Sequence, residues 1–157
     1  MRWTIPLLAL PLALAACGGS SSSTQTTTEK PRLTAKQFVT QANQVCVNSD
    51  RRIYRIGRLS LDPSGWARTA AAARRGVADM KRLTPPEEKD AGFAKLVTQG
   101  TRLADGIQKV HDALVKKDYA EARKWQNDAT VADTAIHRQA QKLGLTFCQQ
   151  LLTNWPA

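Results

Sequence analysis

Apolar residues recur every three or four positions along most of the chain after residue 34, which is the period of one buried helix face. Four such runs are separated by turn and cap signals. Thr34-Ala35-Lys36-Gln37 reads as a capping box, in which Thr34 takes an orphan N–H and Gln37 reaches back. Phe38, Ala42, Val45, Ser49, Ile53 and Ile56 then mark a first helix running to about Leu59, with Cys46 beside that face. Asp62-Pro63 opens a second, an N-cap followed by proline in the first helical position. Its stripe is Trp66, Ala70, Ala73, Val77, Met80 and Leu83.

Thr84-Pro85-Pro86-Glu87 ends that helix and spells a second capping box for a third. The third face carries Phe93, Leu96, Val97, Leu103, Ile107, Val110 and Leu114. Gly92, Gly100 and Gly106 interrupt it, either weakening the helix or allowing close packing. Asp118 to Glu121 spells a third box. Tyr119, Ala122, Trp125, Ala129, Ala132, Ile136, Ala140 and Leu143 follow it, and Gly144 suits a left-handed stop with Leu145 as its apolar contact. No segment alternates as a strand would. Short connections favour antiparallel neighbours, so the expected fold is all-α, an antiparallel up-down four-helix bundle over residues 34–157. Thr146 to Leu152 reads as a short final turn, and Asn154-Trp155-Pro156 as a tail.

The beginning of the chain follows a different pattern. Arg2 supplies a positive charge, and Ile5 to Ala16 is apolar except for Pro6 and Pro11. A charged start followed by a short apolar run is a secretory signal, too short for a bilayer, which needs about 20 apolar residues. Leu14-Ala15-Ala16-Cys17 resembles the lipobox of bacterial lipoproteins at every position. That resemblance implies removal of residues 1–16 and a diacylglyceryl group on Cys17, which would anchor the chain to the outer face of the bacterial cell membrane, or to an outer membrane where one exists. An ordinary secretory cut after Ala13-Leu14-Ala15, leaving Cys17 a free thiol, is the alternative. Residues 17–33 are rich in Ser and Thr and read as a flexible tether. About 16 such residues span roughly 20–24 Å.

Export changes the reading of the other cysteines. In an oxidising compartment the remaining pair, Cys46 and Cys148, reads as a disulfide, with two buried free thiols as the alternative. Gly144 must turn the chain back for Cys148 to reach Cys46, which lies roughly 18 Å along the first helix.

The 157-residue chain carries a net +10, and the charge is uneven, with +4 in residues 34–60 and +3 in residues 61–84. Arg51, Arg52, Arg55 and Arg58 lie late in the first helix. Arg68, Arg74, Arg75, Lys81 and Arg82 lie on the second. Cations near a helix C-terminus favour its dipole, which explains part of this cluster. The functional alternative is an anionic partner, either an envelope polymer or an acidic protein. The first helix would hold these arginines about 25–35 Å from the tether, pointing away from the membrane. Nucleic acid is not expected for an exported chain.

Chemistry is otherwise sparse. Neither a catalytic constellation nor a resident cofactor or metal is expected. The two histidines, His111 and His137, sit too far apart in the expected hairpin to share an ion. Asp133 and His137, four residues apart, read as an exposed helical pair or half a metal site. Trp66, Trp125 and Tyr119 fall on the apolar stripes and read as core, while Trp155 lies outside them. Cys46, Leu83-Thr84-Pro85-Pro86 and Gly144-Leu145-Thr146-Phe147-Cys148 together resemble the small helical lipoproteins of actinobacteria. That resemblance implies a structural framework and no activity. The reading is a lipid-anchored, non-enzymatic binding module with a basic face, or alternatively a small-ligand or metal-binding envelope lipoprotein.

Overall fold

A computed structural model describes residues 30–57, 59 and 61–149. Cys17, the signal and most of the tether, Arg58, Leu151, Leu152 and the tail with Trp155 lie outside them. Helices are the only regular structure among the described residues: α1 (Ala35–Tyr54), α2 (Pro63–Lys81), α3 (Asp90–Val115) and α4 (Tyr119–Leu143), with single 3-10 turns at Glu87–Lys89 and Phe147–Gln149. None of these helices is long and apolar enough to cross a membrane.

Local chemistry explains most of the boundaries. The Thr34 hydroxyl accepts from the Gln37 N–H, and Gln37 Oε1 accepts from the Thr34 N–H at 2.9 Å, closing the expected box. Asp62 caps α2 through the Ser64 N–H, and Asp118 caps α4 through the Glu121 N–H. Gly144, at φ 78°, ends α4 and brings Leu145 into full burial. Two boundaries differ from expectation. α1 stops at Tyr54 rather than near Leu59, because Gly57 adopts φ 84° and turns the chain. The Thr84–Glu87 box does not form. A helix there would need Pro85 in its first turn, and a residue before proline is driven out of the helical region. Pro86 is itself extended, at ψ 151°, so the following turn starts only at Glu87, and no side chain caps it.

The faces pack in register. Arg102 meets Asp128, Gly106 meets Ala129, and Gly92 meets Gln139 and Leu143, so the early part of α3 lies by the late part of α4. Likewise Arg74 meets Gln108, Val77 meets Gly100, and the Pro63 carbonyl meets His111. α1 is placed differently. The Leu33 N–H bonds the Thr84 carbonyl, yet Ser49 lies against Gly76 and Arg52 against Asp79. α1 therefore crosses the second half of α2 and does not run its full length. Among the described residues, contacts with the domain precede Thr34: Lys30 donates to the Arg82 carbonyl, and Arg32 pairs with Asp90.

The core contains most of the expected stripe residues, together with Leu145 and Cys148; Val45, Leu83, Val97 and Trp125 pack against it only partly buried, and Ile53, Ile56, Val77 and Tyr119 lie outside it. Two glycines explain how closely the helices approach. A Cβ at Gly106 would stand 3.2 Å from that of Ala129, so this interruption of α3 serves close packing. A Cβ at Gly76 would stand 2.5 Å from Ser49 Oγ. Gly76→Ala is expected to force α1 outward and cost about 1–3 kcal/mol, read as a lower urea midpoint. An unchanged midpoint would show that α1 does not rest there.

Candidate functional site

Part of the arginine cluster is tied up in pairs. Arg52 Nη2 donates to Asp79 Oδ2 at 2.8 Å, and Arg82 reaches the other oxygen of the same carboxylate at 3.4 Å. Arg74 leans across to Gln108 of α3. Arg51 and Arg55 are exposed, one turn apart at the end of α1. Arg68 and Arg75 are exposed on one line of α2, seven residues apart. Among the described residues Arg51, Arg55 and Arg75 make no ion pair, while Arg68 acts on Asp62 only at a distance. These four cations are thus left largely uncompensated. Most acids in the same region are occupied: Asp79 by two arginines, Asp90 by Arg32, Asp62 by its own cap.

α1 is continuous from Ala35 to Tyr54, which sets Arg51 and Arg52 about 25 Å along its axis from Thr34. Long side chains nevertheless link its end to the entering chain: the Arg52 partner Asp79 also holds Arg82, whose carbonyl receives Lys30.

A second feature is an apolar cleft of about 80 Å³ between α1, α2 and α3, with Ile136 of α4 and the Cys46–Cys148 bond in its wall. Leu103 and Ile107 lie at its buried side, and half-buried Val45, Val77 and Val97 form its rim. Ser49 is the only hydroxyl in the lining, and no titratable side chain takes part. A wall of this kind can shelter apolar groups but offers nothing to move a proton or hold a cation. The disulfide joins Cα atoms 5.1 Å apart, within the usual range.

The third feature is the pair Asp133–His137. It is not the exposed pair expected. The side chains are only 13% and 27% exposed, with Asp133 Oδ1 and His137 Nε2 3.3 Å apart. The contact is close enough for charge attraction but poorly aligned, so neither atom makes a satisfactory hydrogen bond. Burial pushes the Asp133 carboxyl above its ordinary value of 3.8, against the attraction of His137. The folded chain therefore keeps a proton that the unfolded chain releases. That contribution to stability is full below about pH 3.8 and is lost as pH rises through the raised folded-state pKa. Asp133→Asn is expected to flatten this decline, seen in urea midpoints taken from about pH 3 upward. Parallel pH profiles for both chains would show that Asp133 titrates normally.

No third ligand joins that pair: among the described residues no group of three His, Cys, Asp or Glu gathers. His111 is held elsewhere, its Nδ1–H donating to the Pro63 carbonyl at 2.9 Å. Trp66 is buried as expected. Trp125 is half-buried with Lys109 Nζ 3.8 Å above its ring. Tyr119 is 54% exposed, contrary to expectation, because it is the first residue of α4 and precedes the packed turns. Comparison of the chain with protein-family models, with curated proteins and with solved structures returns no match.

Two of these features were not found from sequence. The Arg52–Asp79–Arg82 link had a signal of sorts, a lone Asp among basic residues on α2. The cleft had none.

Proposed function

We propose that the chain is an exported lipoprotein, anchored through lipid on Cys17, whose helical domain is a non-enzymatic binding module for an anionic partner in the cell envelope. The partner is an envelope polymer or an acidic protein. The anchor rests on Leu14-Ala15-Ala16-Cys17 at the end of a short apolar run. The binding role rests on one observation: Arg51, Arg55, Arg68 and Arg75 stand exposed without a neutralising acid in contact. Uncompensated cations of this kind attract anionic surfaces and speed association. The finer architecture is an antiparallel up-down bundle, supported by the α2–α3 and α3–α4 pairings, with α1 laid across α2.

The test includes anionic headgroups of the anchoring membrane as an alternative partner. Crosslinking in intact cells would be compared between the natural chain and one with Arg51, Arg55, Arg68 and Arg75 changed to Glu. The natural chain should capture a partner that the reversed chain loses. Unchanged partners would refute the basic-surface reading, and binding to anionic vesicles alone would transfer it to the membrane. Metabolic labelling with palmitate tests the anchor: Cys17→Ala should abolish incorporation.

A second reading, a lipoprotein holding a small ligand or metal, has the cleft in its favour. Its wall, apolar apart from Ser49, restricts that ligand to an apolar one.

A further inference from the structure

The geometry points to a protein-docking tip where the start of α2 meets the α3–α4 turn. Leu61, Val115 and Tyr119 supply its apolar contact, and Lys116 and Lys117 its charge. The partner is another protein, one whose surface sets carboxylates around apolar side chains. His111, one turn before Val115, holds the Pro63 carbonyl at 2.9 Å, which brings Leu61 to the end of α3. Val115 closes α3 and Tyr119 opens α4. Three of the six large apolar side chains that the described residues expose are therefore gathered at this end. Such side chains scattered singly need no explanation, whereas a gathered group marks an interaction surface.

The charge of the tip is free to meet a partner. Lys116 and Lys117 are exposed, and neither makes an ion pair among the described residues. The carboxylates nearest in sequence are engaged elsewhere: Asp118 caps α4 through the Glu121 N–H, Glu121 holds Lys124, and Asp112 takes the amide of Gln108. Lys117 also stands at φ 58°, in the left-handed region. The other two positive-φ positions among the described residues are Gly57 and Gly144. A lysine there costs backbone free energy that glycine avoids. The position thus holds a cation where folding alone favours glycine, and strain of that kind points to a use for the side chain.

This mixture selects the partner. A polyanionic polymer has nothing to cover Leu61, Val115 and Tyr119. A second copy of this chain, at net +10, is repelled. The anchoring membrane has both charge and carbon, but it lies at the other end. Lys30 and Arg32 enter beside Arg82 and Asp90. α3 begins at Asp90, and its 26 residues carry the tip about 39 Å from there, against a tether of roughly 20–24 Å. That step rests on the anchor proposed at Cys17, whereas the make-up of the tip does not. An apolar centre rimmed by opposite charge on a neighbouring protein fits both halves of the surface.

The test uses the full chain in intact cells. A photoreactive phenylalanine analogue replaces Tyr119, and in a second chain replaces Val131, exposed on α4 well away from the tip. Adducts are identified and the joined peptides sequenced. We expect one protein to be captured through position 119 and not through position 131, by a peptide bearing both carboxylates and apolar side chains. Lys116→Glu with Lys117→Glu should lower that capture by about tenfold or more, the effect of setting like charges together. Lys117→Gly should also lower capture while raising the melting temperature, a combination that a purely structural lysine does not give. A fall in both would make the lysine structural and overturn the inference. Capture alike at both positions, capture indifferent to the lysines, a joined peptide without carboxylates, or no adduct at position 119 would overturn it too. So would adducts with lipid, an envelope polymer or a second copy. Reversal of Arg51, Arg55, Arg68 and Arg75 tests the other basic surface separately: if it abolishes capture and reversal of the lysines does not, the partner belongs to that surface. Palmitate labelling reads the anchor independently of both.

Discussion

Breaking the Cys46–Cys148 bond is expected to lower the unfolding free energy by up to about 4.7 kcal/mol, the chain-entropy figure for a loop of about a hundred residues. The two cysteines are separated by 102 positions. The bond encloses α1 beyond Cys46 and all of α2, α3 and α4, so its loss returns nearly the whole domain to unrestricted freedom when unfolded. In the native state few other contacts hold the C-terminal turn to α1. The Phe147 N–H donates to Asn43 Oδ1 at 3.1 Å, and Leu145 packs beneath. Cys46→Ala with Cys148→Ala should therefore lower the melting temperature by on the order of 15 °C, and reduction of the natural chain should lower it similarly. If the oxidised and reduced chains melt together, the bond contributes no net stability and the entropic account is wrong. The bond also matters for the cleft, because both of its cysteines form part of that wall.

How much of this could be read in advance varied with the range of the interactions. Three helix starts were legible because a cap is a local device: Thr34, Asp62 and Asp118 each accept an N–H two or three residues onward. The Thr84 box has the same letters, but Pro85 before Pro86 forbids the helical geometry it requires. Gly57 was a local signal too, overlooked because Ile53 and Ile56 continue the apolar spacing past it. The buried faces were legible to within a residue or two, since period 3.6 survives in all four helices. Thr69 was missed: it is fully buried, and its hydroxyl is satisfied by the Gly65 carbonyl one turn back at 2.9 Å. No periodicity assigns that position to a threonine.

The candidate sites were less legible because they depend on how helices cross. Arg52 and Asp79 are 27 residues apart, and only the oblique path of α1 joins them. The cleft is a shortfall of volume between three helices, a property that no single segment carries. Asp133 and His137 were visible as a pair by spacing, but their burial depends on neighbouring elements. The resulting division is physical: devices closed within one or two turns are encoded locally, while whatever depends on an angle between helices is not.

Phe38→Ala is expected to cost about 3–5 kcal/mol, the range for truncating a buried aromatic ring. Phe38 is fully buried, and its ring meets that of Phe93 edge to face, with centroids 5.5 Å apart. Such a pair contributes roughly 0.5–1.5 kcal/mol beyond the area it buries. Its position matters as much as its size. It joins the beginning of α1 to the beginning of α3, whereas the disulfide holds α1 one helical stretch later. With the bond intact, the shortened side chain leaves α1 tethered at Cys46, so a cooperative transition should persist at a lower urea midpoint. Phe38→Leu, which keeps most of the volume, should recover more than half of the loss. Combining Phe38→Ala with removal of the disulfide takes away both fastenings of one helix, and the two effects should not simply add. Against a total stability of about 5–15 kcal/mol for an ordinary domain, their joint loss is enough to unfold most of the chain at room temperature. If that double variant still melts cooperatively, α1 is held mainly by its crossing at Gly76 and Asp79, and the weight of the fold lies on α2 rather than on the Phe38–Phe93 pair.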